Sequence, residues 1–165
     1  MIKENREDKG MSKKELFTMG DVETILLVKA LNEYKMVDEN EPDYEYSLGE
    51  KIERLDLSTG YMDGDVFNAG LDKMEEMGLL IWKNEKEGYK FTENDVVVWQ
   101  DEEQGYELTE AGRTLFKRLS LVEGLDDNSI KNILNMSFNV KEFLNEHGND
   151  MKDTIIDVMK SCILK

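Results

Sequence analysis

The sequence predicts a mainly α-helical α+β protein with one small antiparallel β region. Apolar residues recur at helical spacing over residues 21–35, 63–77, 109–119 and 127–163. Between Leu79 and Leu108 the period switches to the short aromatic and β-branched runs LLIWK, YKFT, VVVWQ and GYEL, separated by the turn segments NEKEG, TEND and DEEQG. A single Pro in 165 residues and an apolar content of 39% mark a folding chain, not a disordered one.

Residues 1–11 read as a flexible charged tail, and Ser12 with Glu15 has capping-box spacing for a first short helix over 12–18. Asp21 then opens DVETILLVKALNEYK. Its apolar residues cover so much of the circumference that the helix belongs at the centre of the core. MVDENEPDYEY is an acidic loop ending in a short strand at Tyr44–Tyr46. A second capping box, Ser47 with Glu50, starts a helix carrying Leu48, Ile52 and Leu55 that ends near Leu57. STGYMDG is a turn. Asp63 caps the next helix, in which Val66, Phe67, Gly70, Leu71, Met74 and Met77 share a face until Gly78 stops it.

After the strands, Thr109 opens TEAGRTLFKRL. DDNSIKNILNMSFNVKEFLNEHG follows as a helix stopped by Gly148, with His147 at its end, and a last helix puts Met151, Ile155, Val158, Met159 and Cys162 on one side. Cys162 is expected to be buried and inert. Trp82 and Trp99 are expected in or beside the β region. The chain divides into a domain over 12–120, with an elaborated β segment, and a C-terminal helical appendage over 121–165. The apolar surplus of residues 127–163 suggests homodimerisation.

One Cys and one His leave too few ligands for a zinc site and exclude an internal disulfide, which fits a reducing cytoplasm. MIKENREDKG lacks the apolar stretch of a signal peptide, and no run reaches the length of a membrane span. Asp38, Glu41 and Asp43 lack the spacing of a calcium-binding EF-hand loop. No phosphate-cradling glycine loop or nucleophile motif is present. The chain is therefore expected to be non-enzymatic, with no metal and no cofactor.

Two segments carry a family likeness. VFNAGLDKMEEMGLL has the apolar positions, Glu pair and Gly-Leu turn that lead from a recognition helix into a wing. GYELTEAGRTLFKRL has a wing strand followed by the Leu-Thr-x-x-Gly start of the helix after it. Over residues 21–119 the chain resembles the winged-helix regulators of the MarR-like and PadR-like type. The resemblance implies a winged helix-turn-helix with a C-terminal helical extension, and a transcriptional regulator that binds duplex DNA. Base readers would then be Tyr61 and Asn68. Phosphate contacts would be Lys83, Lys86 and Lys90 of the wing with Arg113, Lys117 and Arg118 after it.

The charge map opposes that role. Net charge is -16, and residues 36–107 carry 6 Lys and Arg against 21 Asp and Glu, whereas residues 1–35 balance at 7 each. The outer face of the recognition helix would be Tyr61, Met62, Asp63, Asp65, Asn68 and Asp72. A carboxylate about 4 Å from a phosphate costs on the order of 1 kcal/mol even at water's dielectric. DNA affinity rests on cations neutralising phosphates, so weak and salt-sensitive binding is expected.

The alternative is an acidic protein-binding winged helix. It would be an adaptor, or a DNA-mimic inhibitor of the phage anti-nuclease or anti-CRISPR kind, docking on a basic partner surface. Its face would combine Asp38, Glu39, Glu41 and Asp43 of the loop with Asp63, Asp65, Asp72, Glu75 and Glu76 of the helix. Asp101, Glu102 and Glu103 of the wing turn would complete it. Asp63 and Asp65 also have a local use as helix caps.

Overall fold

The structure is a computed structural model that describes residues 17–35, 37–55, 61–130, 132–135 and 140–163. The expected charged tail and most of the expected helix over 12–18 lie outside these residues. The described chain is mixed α+β: helix α1 (Met19–Glu33), strands β1 (Val37–Asp38) and β2 (Glu41–Glu45), helices α2 (Leu48–Arg54) and α3 (Gly64–Glu76), strands β3 (Leu80–Glu85), β4 (Gly88–Phe91), β5 (Val97–Gln100) and β6 (Glu103–Leu108), and helices α4 (Glu110–Leu119), α5 (Asp127–Ile130), α6 (Asn132–Asn135) and α7 (Val140–Ile163).

Helix α1 begins earlier than expected because Thr18, not Asp21, is its cap. The Thr18 hydroxyl accepts from the Asp21 amide at 3.1 Å, while the Asp21 carboxylate accepts from the Thr18 amide at 3.0 Å. This reciprocal box satisfies two donors that the helix itself cannot. Every residue from Asp21 to Leu31 is buried, and α1 packs against α2, α3, α5, α6 and α7. At its far end the buried Lys51 of α2 donates from Nζ to the carbonyls of Leu31, 3.0 Å, and Tyr34, 2.6 Å. A cation on the carbonyls that end a helix complements its dipole. Burial nonetheless pulls the Lys51 pKa below its ordinary value, with Glu45 and Glu33 partly restoring it.

Gly78 ends α3 in the left-handed region, φ 78°, and the chain turns into β3. The Leu-Thr-x-x-Gly motif closes this corner from the other side. Thr109 donates its amide to Leu79 O and its hydroxyl to Gly78 O, and its oxygen accepts the amide of Gly112. A Cβ at position 112 would run into Leu79 O, so only glycine lets α4 approach so closely.

The β segment differs from the expected four short runs separated by three turns. β3 pairs antiparallel with β6 from Leu80↔Leu108 to Glu85↔Glu103, and β4 with β5 from Gly88↔Gln100 to Phe91↔Val97. Three residues forward on one strand match three residues back on the other, so both ladders keep one register. NEKEG and DEEQG are thus not two independent turns: within them, residues 86–87 and 101–102 interrupt one long ribbon. A short β1–β2 ladder stands apart from it.

The C-terminal segment also departs from expectation. Gly148 does not stop a helix, since α7 runs unbroken from Val140 to Ile163. A helical Gly costs roughly 0.5–1 kcal/mol relative to Ala, while Val140, Phe143, Leu144, Met151, Ile155 and Met159 are buried along α7, which packs on α1 and α4. Burial decides in favour of the helix. These residues belong to one hydrophobic cluster with α1, α3 and α4. The described apolar side chains of this segment that are buried thus contribute to the chain's own core. Cys162 is half-buried, not buried, and its Sγ accepts from Arg118 Nη1 at 3.4 Å. The side chain of His147 lies outside the described residues. No helix among the described residues is long and apolar enough to cross a membrane.

Candidate acidic interface

Helix α3 turns Phe67, Gly70, Leu71 and Met74 into the core, against α1 and β3. The 3.6-residue period then leaves Asp65, Asn68, Ala69, Asp72, Glu75 and Glu76 exposed on the opposite side. Asp63 is a cap: its Oδ1 accepts from the amides of Asp65, 2.9 Å, and Val66, 3.2 Å. Two residues expected on the outer face are not there. Met62 is buried, and Tyr61 is half-buried, with its hydroxyl donating to Leu134 O at 3.1 Å and its carbonyl accepting from the Val140 amide at 2.9 Å. The C-terminal helices thereby border the start of α3, and Tyr61 is tied to them instead of facing a groove.

Two groups of acidic residues lie beside β6, the first of them on α3. Tyr106 stands edge-on to Trp82, ring centroids 5.1 Å apart, and burial raises its pKa, with the fields of Glu75 and Asp72 adding to the shift. This places the α3 carboxylates near the aromatic pair of the ribbon. The second group surrounds a recess of about 400 Å³ lined by Tyr44, Ser47, Glu50 and residues 100–104, including Asp101, Glu102 and Glu103. Glu50 accepts the Tyr44 hydroxyl at 2.7 Å and the Ser47 amide at 2.9 Å. Burial opposes ionisation of Glu50, but hydrogen bonds from Ser47 and Tyr44 and the charge of Arg54 outweigh it and hold its pKa down. The Tyr44 pKa rises, first through that hydrogen bond, and Glu103 contributes to it. Sequence reasoning missed Glu50 and Tyr44, because a capping glutamate looks complete without a second partner.

Glu39, Glu41 and Asp43 are exposed along the β1–β2 hairpin, and the side chain of Asp38 lies outside the described residues. The acidic residues thus flank β6 as separate groups, with Asp63 and Asp65 at the far end of α3.

The basic residues are largely engaged. Lys83 Nζ lies 3.2 Å from Glu103, 3.4 Å from Glu107 and 3.9 Å from Glu85, and the hydrogen bond to Glu103 leads in raising its pKa. Lys90 lies 3.9 Å from Glu85. Arg113 Nη1 donates to Leu108 O at 2.9 Å, and Arg118 to Cys162. Asn68, Lys86 and Lys117 are exposed. Among the described residues no group of three or more His, Cys, Asp or Glu is placed to hold a metal ion. No family model, no curated protein and no solved structure matches the chain.

Proposed function

We propose that this chain is a non-enzymatic winged-helix protein whose acidic surface docks on a basic surface of a partner protein, as an adaptor or a DNA mimic. Support for the fold reading is the order of α1, α2, α3, ribbon and α4, with the Thr109 corner joining α3 to α4. The functional reading is carried by the outer side of α3. It presents Asp65, Asp72, Glu75 and Glu76, while Lys83, Lys90 and Arg113, elsewhere on the chain, are held by the chain's own carboxylates or carbonyls. A phosphate backbone would have to compete for those cations and approach carboxylates of its own sign.

A second reading, a regulator with weak operator binding, is favoured by Asn68, Lys86 and Lys117, which remain exposed. Anisotropy of a random fluorescent duplex at low salt separates the two. The protein-docking reading expects no binding at micromolar protein, and its acquisition by D65K/D72K/E75K. Micromolar binding by the unaltered chain that weakens steeply with salt would overturn it. In cells, a photo-crosslinker at position 68 is expected to give a protein adduct that the reversed variant loses.

A further inference from the structure

The outer end of the ribbon carries an apolar face that the fold does not cover. Tyr89 pairs with Trp99 and Phe91 with Val97, and alternation puts all four side chains on one side of the β4–β5 ladder. They are 75%, 53%, 72% and 52% exposed. β4 and β5 pack chiefly on each other, far along a ribbon that advances roughly 3.4 Å per residue from Leu80. Such a two-stranded ladder is marginal in water on its own, and its Tyr89–Trp99 contact, 5.0 Å between centroids and edge-on, leaves most of both rings open. The one polar atom of Trp99 is already satisfied, since Nε1 donates to Asp101 at 2.7 Å. What this side chain offers outward is apolar ring.

The rim decides what can cover it. Residues 83–107 hold 3 Lys against 8 Asp and Glu. Lys83 and Lys90 are paired within the ribbon and Lys86 is exposed, against five exposed carboxylates, Glu87, Glu93, Asp95, Asp101 and Glu102, that flank β4 and β5 along the chain. A second copy of the ribbon would bring acidic rims together, and nucleic acid or an anionic membrane has the same sign. An apolar stripe flanked by Lys and Arg meets both requirements.

We propose that the face formed by Tyr89, Phe91, Val97 and Trp99 is the docking site for a basic amphipathic segment of a partner protein. This deepens the reading above, on which it rests for the sign of the partner's charge, but it uses a different element from α3.

The test is spectroscopic. The chain has two Trp, so in W82F the emission comes from Trp99 alone. Titration with a helical Leu/Lys amphipathic peptide should shift that emission to the blue and saturate, while oligolysine and a Leu/Glu peptide should not shift it. F91S/V97S should weaken binding about tenfold or more, read by anisotropy of labelled peptide, with the far-ultraviolet spectrum of the helices unchanged. E87K/E102K leaves the apolar face whole and should weaken binding at low salt only. Equal shifts with oligolysine, no shift with the Leu/Lys peptide, or a blue shift that follows protein concentration without peptide would each overturn the proposal. The last would make a second copy the occupant. D65K/D72K/E75K should bind the peptide as the parent does. Loss of peptide binding in that variant would place the contact on α3 and sink this inference while leaving the broader reading intact.

Discussion

Lys29 Nζ donates to Ser120 Oγ at 2.7 Å from a side chain with no exposed surface. The same ammonium lies 3.5 Å from Glu33 and 3.5 Å from Asp127, so one cation on the central helix holds the end of α4 and the start of α5. Ser120 in turn has one hydroxyl proton to share between Phe116 O, 3.0 Å away, and Asp127, 3.1 Å away. K29A removes the charge and the stem together and leaves a void where the fully buried side chain stood. A loss of roughly 3 kcal/mol is expected in denaturant unfolding. K29M restores the volume, and since partly exposed Glu33 and Asp127 can turn to water, it should cost clearly less. Equal losses for the two variants would show that the charge, not the packing, carries the site.

Helix α3 crosses α1 where Gly70 faces Thr24, whose hydroxyl donates to Gly20 O at 2.8 Å. A Cβ at position 70 would overlap the Thr24 side chain, so the helices touch there almost backbone to side chain. Ala is favoured over Gly in a helix by about 1 kcal/mol, and G70A at an uncrowded position would stabilise. Here overpacking should win, with a net loss of roughly 1–3 kcal/mol and a lowered Tm. T24A in the same chain should return part of the loss. Strict additivity of the two substitutions would argue against this contact.

The sequence made some of these relationships legible and concealed others for a physical reason. The all-round apolar surface of α1 announced a central helix. The Thr109–Gly112 motif announced a strand-to-helix corner because its chemistry is local, a cap and a close approach within a few residues. The ribbon register was hidden: NEKEG and DEEQG are each good turn segments, and only their opposition across the ribbon lets Glu85↔Glu103 continue to Gly88↔Gln100. Lys29 and Lys51 were hidden too, since a lysine reads as solvated until a distant Ser120 or Leu31 carbonyl is brought to it. The acidic outer side of α3 was readable from period and charge. The inward turn of Tyr61 was not, because its partner Leu134 lies in a segment that joins α1 from far along the chain.

Glu23 gives a pH test with a definite sign. It is buried on α1, and desolvation raises its carboxyl pKa above the ordinary value of 4.5, with Lys141 and Lys152 pulling it partly back. A raised folded-state pKa means that the folded chain holds this proton longer than the unfolded chain does. The resulting stabilisation is full below the unfolded value and is lost as pH rises through the folded one. E23Q removes the titration. Its Tm relative to the parent should therefore be more favourable at pH 7 than at pH 4, and a difference that is flat or reversed between them would refute the assignment.

Lys83 should behave differently because its partners are exposed. Its ammonium sits among Glu85, Glu103 and Glu107 on one side of the β3–β6 ladder, and K83M would take that shared cation from all three, leaving Glu85 with Lys90 at 3.9 Å. Single exposed pairs contribute about 0.2–1 kcal/mol, so a loss of roughly 1 kcal/mol at low salt is the scale to expect for the group. Repulsion among the freed carboxylates is screened as the Debye length contracts to about 3 Å at 1 M salt, so most of that difference should vanish there. The raised Lys83 pKa adds a second signature: the contribution is complete below the ordinary lysine value and lost as pH climbs through the raised one. K83R should retain it. An equal loss at low and high salt would instead assign Lys83 a packing role through its aliphatic stem on the ribbon.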